Sequence, residues 1–306
     1  MDKIHELIII GAGPAGLAAS IYASRYGVEH LIVGSLLGGQ ITETHEIDNY
    51  PGMENMTGFD FSQKWGNHAK KYGVKIITTN VDSIIKNEEI FVLALTNGEV
   101  LKTKTLILAT GTKRRKLAIA GEKHLLGAGV SYCATCDGFF YKNKTVGIIG
   151  GADSAASAAL YLSDLCQKVY LIYRGKELRA EPYWKNKLKN CANVEMILET
   201  NVVEILGKDH LQKVKLDKAF NGQKELALNG LFIEAGSEPN IEYARGLEME
   251  TNEKGYIKIS SDGATSVVGV WAAGDITDGS DGFQQVITAA AEGAIAVRSI
   301  FKWLKK

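Results

Sequence analysis

Unbroken apolar runs that end in glycine and lead into helical spacing occur at Leu7-Ile8-Ile9-Ile10 before Gly11 and at Val146-Gly147-Ile148-Ile149 before Gly150. A strand covered by helices on both faces of a parallel sheet loses the in-out alternation and reads as a continuous hydrophobic run. Each run is therefore predicted to be a buried parallel strand entering a helix through a tight turn. The two starts lie a domain's length apart, unlike the short period of a solenoid.

A third strand-like run, Thr105-Leu106-Ile107-Leu108-Ala109, ends in Thr110-Gly111-Thr112 and the basic stretch Lys113-Arg114-Arg115-Lys116, which reads as a solvated linker and the first domain crossing. A second crossing is expected at Gly236-Ser237-Glu238-Pro239-Asn240, after the strand Gly230-Leu231-Phe232-Ile233. The tail adds a strand at Val270-Trp271-Ala272-Ala273 and an amphipathic helix from Val286 to Trp303, which return to the first domain. The predicted class is α/β, with two Rossmann-like nucleotide-binding domains of the three-layer ββα kind, the second inserted in the first. The expected boundaries are 1–115 with 241–306 for the outer domain and 116–240 for the inserted one.

The length of 306 residues favours two domains over one. Thirty-five basic and 35 acidic residues cancel, so nothing favours nucleic acid as a partner. The apolar stretch from Leu7 to Ile21 is interrupted by glycines and Pro14 and does not read as a membrane span. The start, Met1-Asp2-Lys3-Ile4-His5-Glu6, has no basic n-region, and a cytoplasmic protein is expected. In a reducing compartment the four cysteines, Cys133, Cys136, Cys166 and Cys191, do not form a disulfide framework. The close pair is then a redox couple or part of a metal site.

Gly11-Ala12-Gly13-Pro14-Ala15-Gly16 joins the first strand to a helix. The first glycine allows the tight turn, the second lets backbone approach a pyrophosphate, and the third lets helix pack on strand, with the helix N-terminus facing the anion. Where an acid usually meets the ribose, the sequence has Leu31-Ile32-Val33-Gly34-Ser35, so Ser35 or backbone groups take that place. The second start, Gly150-Gly151-Ala152-Asp153-Ser154-Ala155, carries alanine at the middle position, a methyl group where pyrophosphate should touch backbone. After the next strand come Tyr173, Arg174, Lys176 and Arg179; cations there can pair with a 2′-phosphate, which points to NADPH rather than NADH, or they form a basic surface loop.

Cys133-Ala134-Thr135-Cys136-Asp137 precedes the second start. Thiols at this spacing can close a disulfide, and the following aspartate is placed to move protons. Zinc would need further ligands, and no second such pair exists, so no metal is expected; a structural pair is the other alternative. Cys166 and Cys191 read as inert thiols. Gly274-Asp275, at a strand end, suits sugar hydroxyls or simply a loop.

The motifs at 11–16, Gly38-Gly39-Gln40, Asn49-Tyr50-Pro51-Gly52, Ala109-Thr110-Gly111, Cys133-Ala134-Thr135-Cys136-Asp137 and Gly274-Asp275, in this order, resemble the low-molecular-weight thioredoxin reductase family over nearly the whole chain. The resemblance implies a homodimer whose FAD domain is interrupted by a pyridine-nucleotide domain carrying the redox pair. It implies that Cys136 faces the flavin, Cys133 attacks the thioredoxin disulfide and Asp137 is the acid–base group. FAD would be bound by Gly11, Gly13, Pro14, Ala15, Gly16, Ser35, Gly39, Gln40, Asn49, Val81, Ala109, Thr110, Gly111, Gly274, Asp275, Gln284, Gln285 and Val286. NADPH would meet Gly150, Ala152, Asp153, Ser154, Arg174, Lys176 and Arg179.

The sequence departs from the family pattern at Ala152, Ser157, Tyr173-Arg174-Gly175 and Gln284. Three readings follow: an NADPH-dependent thioredoxin reductase, a reductase of the same fold fed by NADH, ferredoxin or another donor, and a non-catalytic flavoprotein or redox sensor.

Overall fold

A computed structural model describes residues 3–306. The chain divides into two compact units, Met1–Lys113 with Glu238–Lys306, and Arg114–Ser237.

The first unit opens with β1 (Ile4–Ile10), α1 (Pro14–Tyr26), β2 (His30–Val33), α2 (Gly58–Lys70) and β3 (Lys75–Ile77), followed by β4 (Val81–Asn87), β5 (Ile90–Leu95) and β6 (Val100–Leu108). β1 runs parallel to β2 and β6, and β2 parallel to β3, while β4, β5 and β6 form an antiparallel meander. Leu7, Ile8 and Ile9 are wholly buried because both faces of β1 are covered. Leu7 and Ile9 join Leu17, Ala19 and Ala23 of α1, whereas Ile8 and Ile10 join Ile84, Leu93 and Leu106. The apolar run at 7–10 is thus one strand shared by two cores.

The chain leaves through β7 (Thr112–Arg114), which pairs with the returning β16 (Ser237–Pro239). Between them lie β8 (Val130–Ser131), α3 (Ala134–Asp137), β9 (Thr145–Ile149), α4 (Asp153–Leu165), β10 (Lys168–Ile172), α5 (Pro182–Leu188), β11 (Val194–Ile197), β12 (Val202–Leu206), β13 (Lys213–Phe220), β14 (Gln223–Ala227) and β15 (Gly230–Ile233). A parallel sheet runs β11-β10-β9-β15-β8, with β12-β13-β14 as a second, antiparallel sheet. Val146 and Ile148 of β9 pack with Ala155, Ala156, Ala159 and Leu162 of α4 on one face. The basic run at 113–116 is only partly the solvated linker expected: Thr112–Arg114 is a strand, and the Arg114 guanidinium pairs with the buried Glu234 carboxylate. A charge cluster read by composition alone does not show that one member has a buried acid to meet.

The returning chain adds β17 (Val270–Ala272) beside the end of β6, and α6 (Val286–Trp303). The early residues of β6 bond β5 and its late residues bond β17, so one edge of the strand is divided between two partners. α6 crosses α1 closely because Gly293 has no side chain: a Cβ there would overlap the Ala15 carbonyl oxygen. Mixed α/β layers around parallel sheets, the predicted class, are what the chain forms.

Candidate active site

In the first unit, the turn after β1 is compact enough that positions 11 and 16 admit only glycine. Gly11 has a φ of 112°, and a Cβ on it would overlap the Ala109 carbonyl oxygen; a Cβ on Gly16 would overlap the carbonyl oxygen of Gly11. Gly39 approaches the same turn, a Cβ on it lying 3.1 Å from the Cα of Gly13. Gly13 is the N-cap of α1 and places no side-chain acceptor on the helix start, and Pro14 follows it. The amides of Ala15 and Gly16 thus head the helix with its positive end bare of protein acid, since the first turn holds no Asp or Glu.

The returning segment meets this turn. A Cβ on Gly274 would lie 2.9 Å from the Ala15 methyl. Asp275 follows, partly buried, and burial, reinforced by the nearby Glu292 charge, pushes its carboxyl up to about 6. Glu292 itself accepts from the Gly274 amide at 2.8 Å, the Thr277 hydroxyl at 3.0 Å and the Ser280 hydroxyl at 2.7 Å. Sequence reasoning missed Glu292; its signal was an acid in the alanine-rich stretch Ala289-Ala290-Ala291-Glu292-Gly293-Ala294.

The other expected residues of this unit fall into separate contacts. Asn49 donates to the Gln285 side chain at 3.0 Å, Gln284 donates to the Asp275 carbonyl at 3.2 Å, and Gln40 donates to the Thr112 carbonyl. Thr110 donates to the Asn240 carbonyl at 2.8 Å and also lies 2.8 Å from the Tyr243 hydroxyl, whose burial keeps it protonated. Gln285 caps α6 through a reciprocal pair with Thr288, which fixes Val286 as its first residue. Ser35 is exposed beyond β2, and Val81 packs into the cluster of Ile84 and Leu106.

In the second unit, Cys133 and Cys136 are joined in a disulfide with Cα atoms 5.3 Å apart. Cys133 is the N-cap of α3, its Sγ accepting from the Cys136 amide at 3.1 Å and lying 3.5 Å from the Thr135 hydroxyl. Cys136 is exposed, and Asp137 is partly buried. Phe139 and Phe140 follow, 68% and 70% exposed. Before the pair, the Tyr132 hydroxyl donates to Glu122, a carboxylate only 4% exposed that also accepts from the Leu117 amide at 2.8 Å. Cys166 is buried in an apolar cluster, which pushes its thiol up to about 11, and Cys191 is partly buried.

The second dinucleotide-type turn lies in the same unit. Asp153 accepts the Glu181 amide at 2.7 Å, and the Gly151 carbonyl accepts the Arg179 and Ala180 amides at 2.7 and 3.1 Å. Arg174, Lys176 and Arg179 are exposed.

A pyridine nucleotide-disulphide oxidoreductase family model matches residues 5–293. The chain belongs to that family. It is an FAD-dependent oxidoreductase, and FAD and a pyridine nucleotide are the family's redox cofactors. The chain is 38% identical to a thioredoxin reductase of Helicobacter pylori, over 98% of this chain and 99% of that protein. A crystal structure of Lactococcus lactis thioredoxin reductase matches with a TM-score of 0.93 at 33% identity, over 98% of this chain and 99% of that one. A ferredoxin-flavin thioredoxin reductase from Clostridium acetobutylicum matches with a TM-score of 0.55 at 30% identity, over 100% and 99% of the two chains. Among the described residues, no helix is long and apolar enough to cross a membrane.

Proposed function

We propose that the protein is a thioredoxin reductase in which electrons from bound FAD open the Cys133–Cys136 disulfide and that pair reduces a thioredoxin disulfide. The observation that carries this reading is the redox disulfide itself, formed between the two cysteines of a single four-residue segment and followed by two exposed aromatic rings. A protein substrate can dock on Phe139 and Phe140, since large exposed aromatics are unusual except where a partner covers them.

The first-unit turn fits FAD. The start of α1 offers backbone amides to a pyrophosphate, and Gly13 and Gly39 leave that approach free of side chains. Among the described residues no hydrogen bond supports the Asp275 carboxylate, which suits it to sugar hydroxyls. Asn49, Gln285 and Val286 stand with these as the residues facing the ring. When bound, FAD supplies the electron pair.

The electron pair enters Sγ of Cys136, the S–S bond breaks, and Cys133 leaves as a thiolate held by the Cys136 amide and the Thr135 hydroxyl. The Cys133 thiolate attacks the thioredoxin disulfide, forming a mixed disulfide and releasing one thioredoxin sulfur, which takes a proton from Asp137. Cys136 then attacks Cys133, restoring the disulfide and releasing the second thioredoxin sulfur, which takes a proton from solvent to complete dithiol thioredoxin as solvent also reprotonates Asp137. The working form is a homodimer, located in the cytoplasm.

NADPH is the donor that Arg174, Lys176 and Arg179 would recognise through a 2′-phosphate, beside the turn of Gly150, Ala152, Asp153 and Ser154. A ferredoxin-type donor is the second reading, favoured by Ala152 at the pyrophosphate position. Anaerobic mixing with NADPH, NADH or reduced ferredoxin, followed by flavin absorbance and thioredoxin thiol release, tests the proposal. Thiol release after chemical reduction of the flavin is expected; a reduced flavin that leaves thioredoxin oxidised would overturn it.

A further inference from the structure

The Tyr173 ring lies on the turn that would receive a pyridine nucleotide. A Cβ on Gly151 would come to 2.5 Å from Cγ and Cδ2 of that ring, and one on Gly175 would overlap its Cε1. The ring therefore sits between two glycines, both of which must lack side chains for it to fit. It is not carried on a loose loop: the Tyr173 amide donates to the Ile197 carbonyl at 2.9 Å, the Thr200 amide to the Tyr173 carbonyl at 3.1 Å, and the Glu199 amide to the Gly175 carbonyl at 3.0 Å.

Tyr173 follows directly on β10, the strand after the β9–turn–α4 unit. In a dinucleotide-binding βαβ unit, the residue at that strand end meets the adenosine ribose, as an acid for a 2′,3′-diol or beside a cation for a 2′-phosphate. A phenol supplies neither charge. The neighbouring turn residues are also engaged, Gly151 by the Arg179 and Ala180 amides and Asp153 by the Glu181 amide. The cations Arg174, Lys176 and Arg179 lie exposed around an aromatic ring.

We propose that Tyr173, packed between Gly151 and Gly175, is the specificity-determining residue that excludes the adenosine 2′-phosphate end of NADPH from this unit. The proposal rests on the reductase reading and, of its two donor readings, favours the ferredoxin-type donor over NADPH. Its chemistry requires only occupancy: the ring fills the ribose position and keeps a 2′-phosphate from the exposed Arg174, Lys176 and Arg179 beside it.

The test is calorimetric titration of the oxidised, FAD-loaded protein with NADP⁺ and with NAD⁺, on the wild type and on Tyr173→Ala, Tyr173→His and Tyr173→Phe. Wild type is expected to bind NADP⁺ only weakly. Tyr173→Ala and Tyr173→His should tighten NADP⁺ binding about tenfold or more, the gain from relieving an overfilled site, while Tyr173→Phe stays within about twofold of wild type because the ring is kept. Tyr173→His keeps the test open should the alanine variant fail to fold. Tight NADP⁺ binding by the wild type, unchanged binding in both smaller variants, or weaker binding in them would overturn the proposal; the last would make the ring a stacking surface for adenine. The reductase reading is checked separately, by thioredoxin thiol release from chemically reduced enzyme, so each can fail alone.

Discussion

The Glu292 carboxylate accepts a hydrogen bond from the Gly274 amide at 2.8 Å, which places its negative charge beside Asp275. Burial first, and that charge second, raise the Asp275 carboxyl to about 6. A carboxyl raised in the fold binds its proton more tightly than in the unfolded chain. Stability contributed by the protonated form is therefore lost as pH rises from the ordinary aspartate range through about 6. FAD-free protein should melt at a lower temperature at pH 7.5 than at pH 5 on account of this group, and Asp275→Asn should remove that part of the slope. The same variant should hold FAD about tenfold less tightly at neutral pH, the loss of a charged acceptor. Glu292→Gln should move the FAD-affinity midpoint to lower pH. Calorimetry of the apoprotein and flavin titration across pH 5–8 measure all three, and a Glu292→Gln midpoint that does not move would sink the coupling.

Two glycines of the same helix separate a functional constraint from a conformational one. Gly16→Ala drives a methyl into the Gly11 carbonyl oxygen, so the helix must lift off the turn. Gly27, the helix C-cap at φ 69°, has no atom within 4 Å of where a Cβ would stand, and a substitution there costs only its left-handed backbone. Gly16→Ala should purify with most of its flavin missing and lose roughly 1–3 kcal/mol or more, whereas Gly27→Ala should keep flavin and lose about 1 kcal/mol. The ratio of flavin to protein absorbance, with urea unfolding, distinguishes them.

Local devices were legible in the sequence, and contacts between distant segments were not. The run at 7–10, the glycine turn and the helix from Val286 to Trp303 each follow from neighbouring residues, because strand burial, turn sterics and helical period act over a few positions. The Arg114–Glu234 pair, Glu292 beneath Gly274 and the Tyr173 ring between Gly151 and Gly175 each join residues that only the folded chain brings together. For Tyr173 the departure from the family pattern was visible, but not that the ring would lie on the turn rather than away from it.

Glu122 ties the segment leading into the second unit to the residue before the redox pair. It accepts from the Leu117 amide at 2.8 Å and from the Tyr132 phenol, which burial and the neighbouring carboxylate keep protonated. Removing a buried acceptor leaves its donors unpaired, whereas removing the phenol takes away only one of them. Glu122→Ala is expected to lower stability by about 3 kcal/mol and Tyr132→Phe by about 1–2 kcal/mol. Urea unfolding gives both values, and equal losses would show that Glu122 serves the tyrosine alone.

The two sulfurs of the redox pair stand in different surroundings, and that difference supports the proposed order of reaction. Cys133 Sγ has the Cys136 amide at 3.1 Å and the Thr135 hydroxyl at 3.5 Å, donors that favour a thiolate over a thiol, while Cys136 is exposed to solvent. These donors favour Cys133 over Cys136 as the leaving group when the disulfide opens and as the attacking sulfur afterwards, the order proposed above. Cys136→Ser should displace thionitrobenzoate from a single-cysteine thioredoxin whose remaining thiol has been activated as its mixed disulfide with thionitrobenzoate, leaving a stable Cys133–thioredoxin disulfide, and Cys133→Ser should not. Iodoacetamide at pH 7 should label Cys133 ahead of Cys136 in the reduced wild type, and Thr135→Val should narrow the difference about threefold, the worth of one weak hydrogen bond. Mass spectrometry of the labelled peptides and of the trapped complex reads each result. Equal trapping by both serine variants would mean that the local donors do not set the order, and either sulfur could then serve as the attacking thiol.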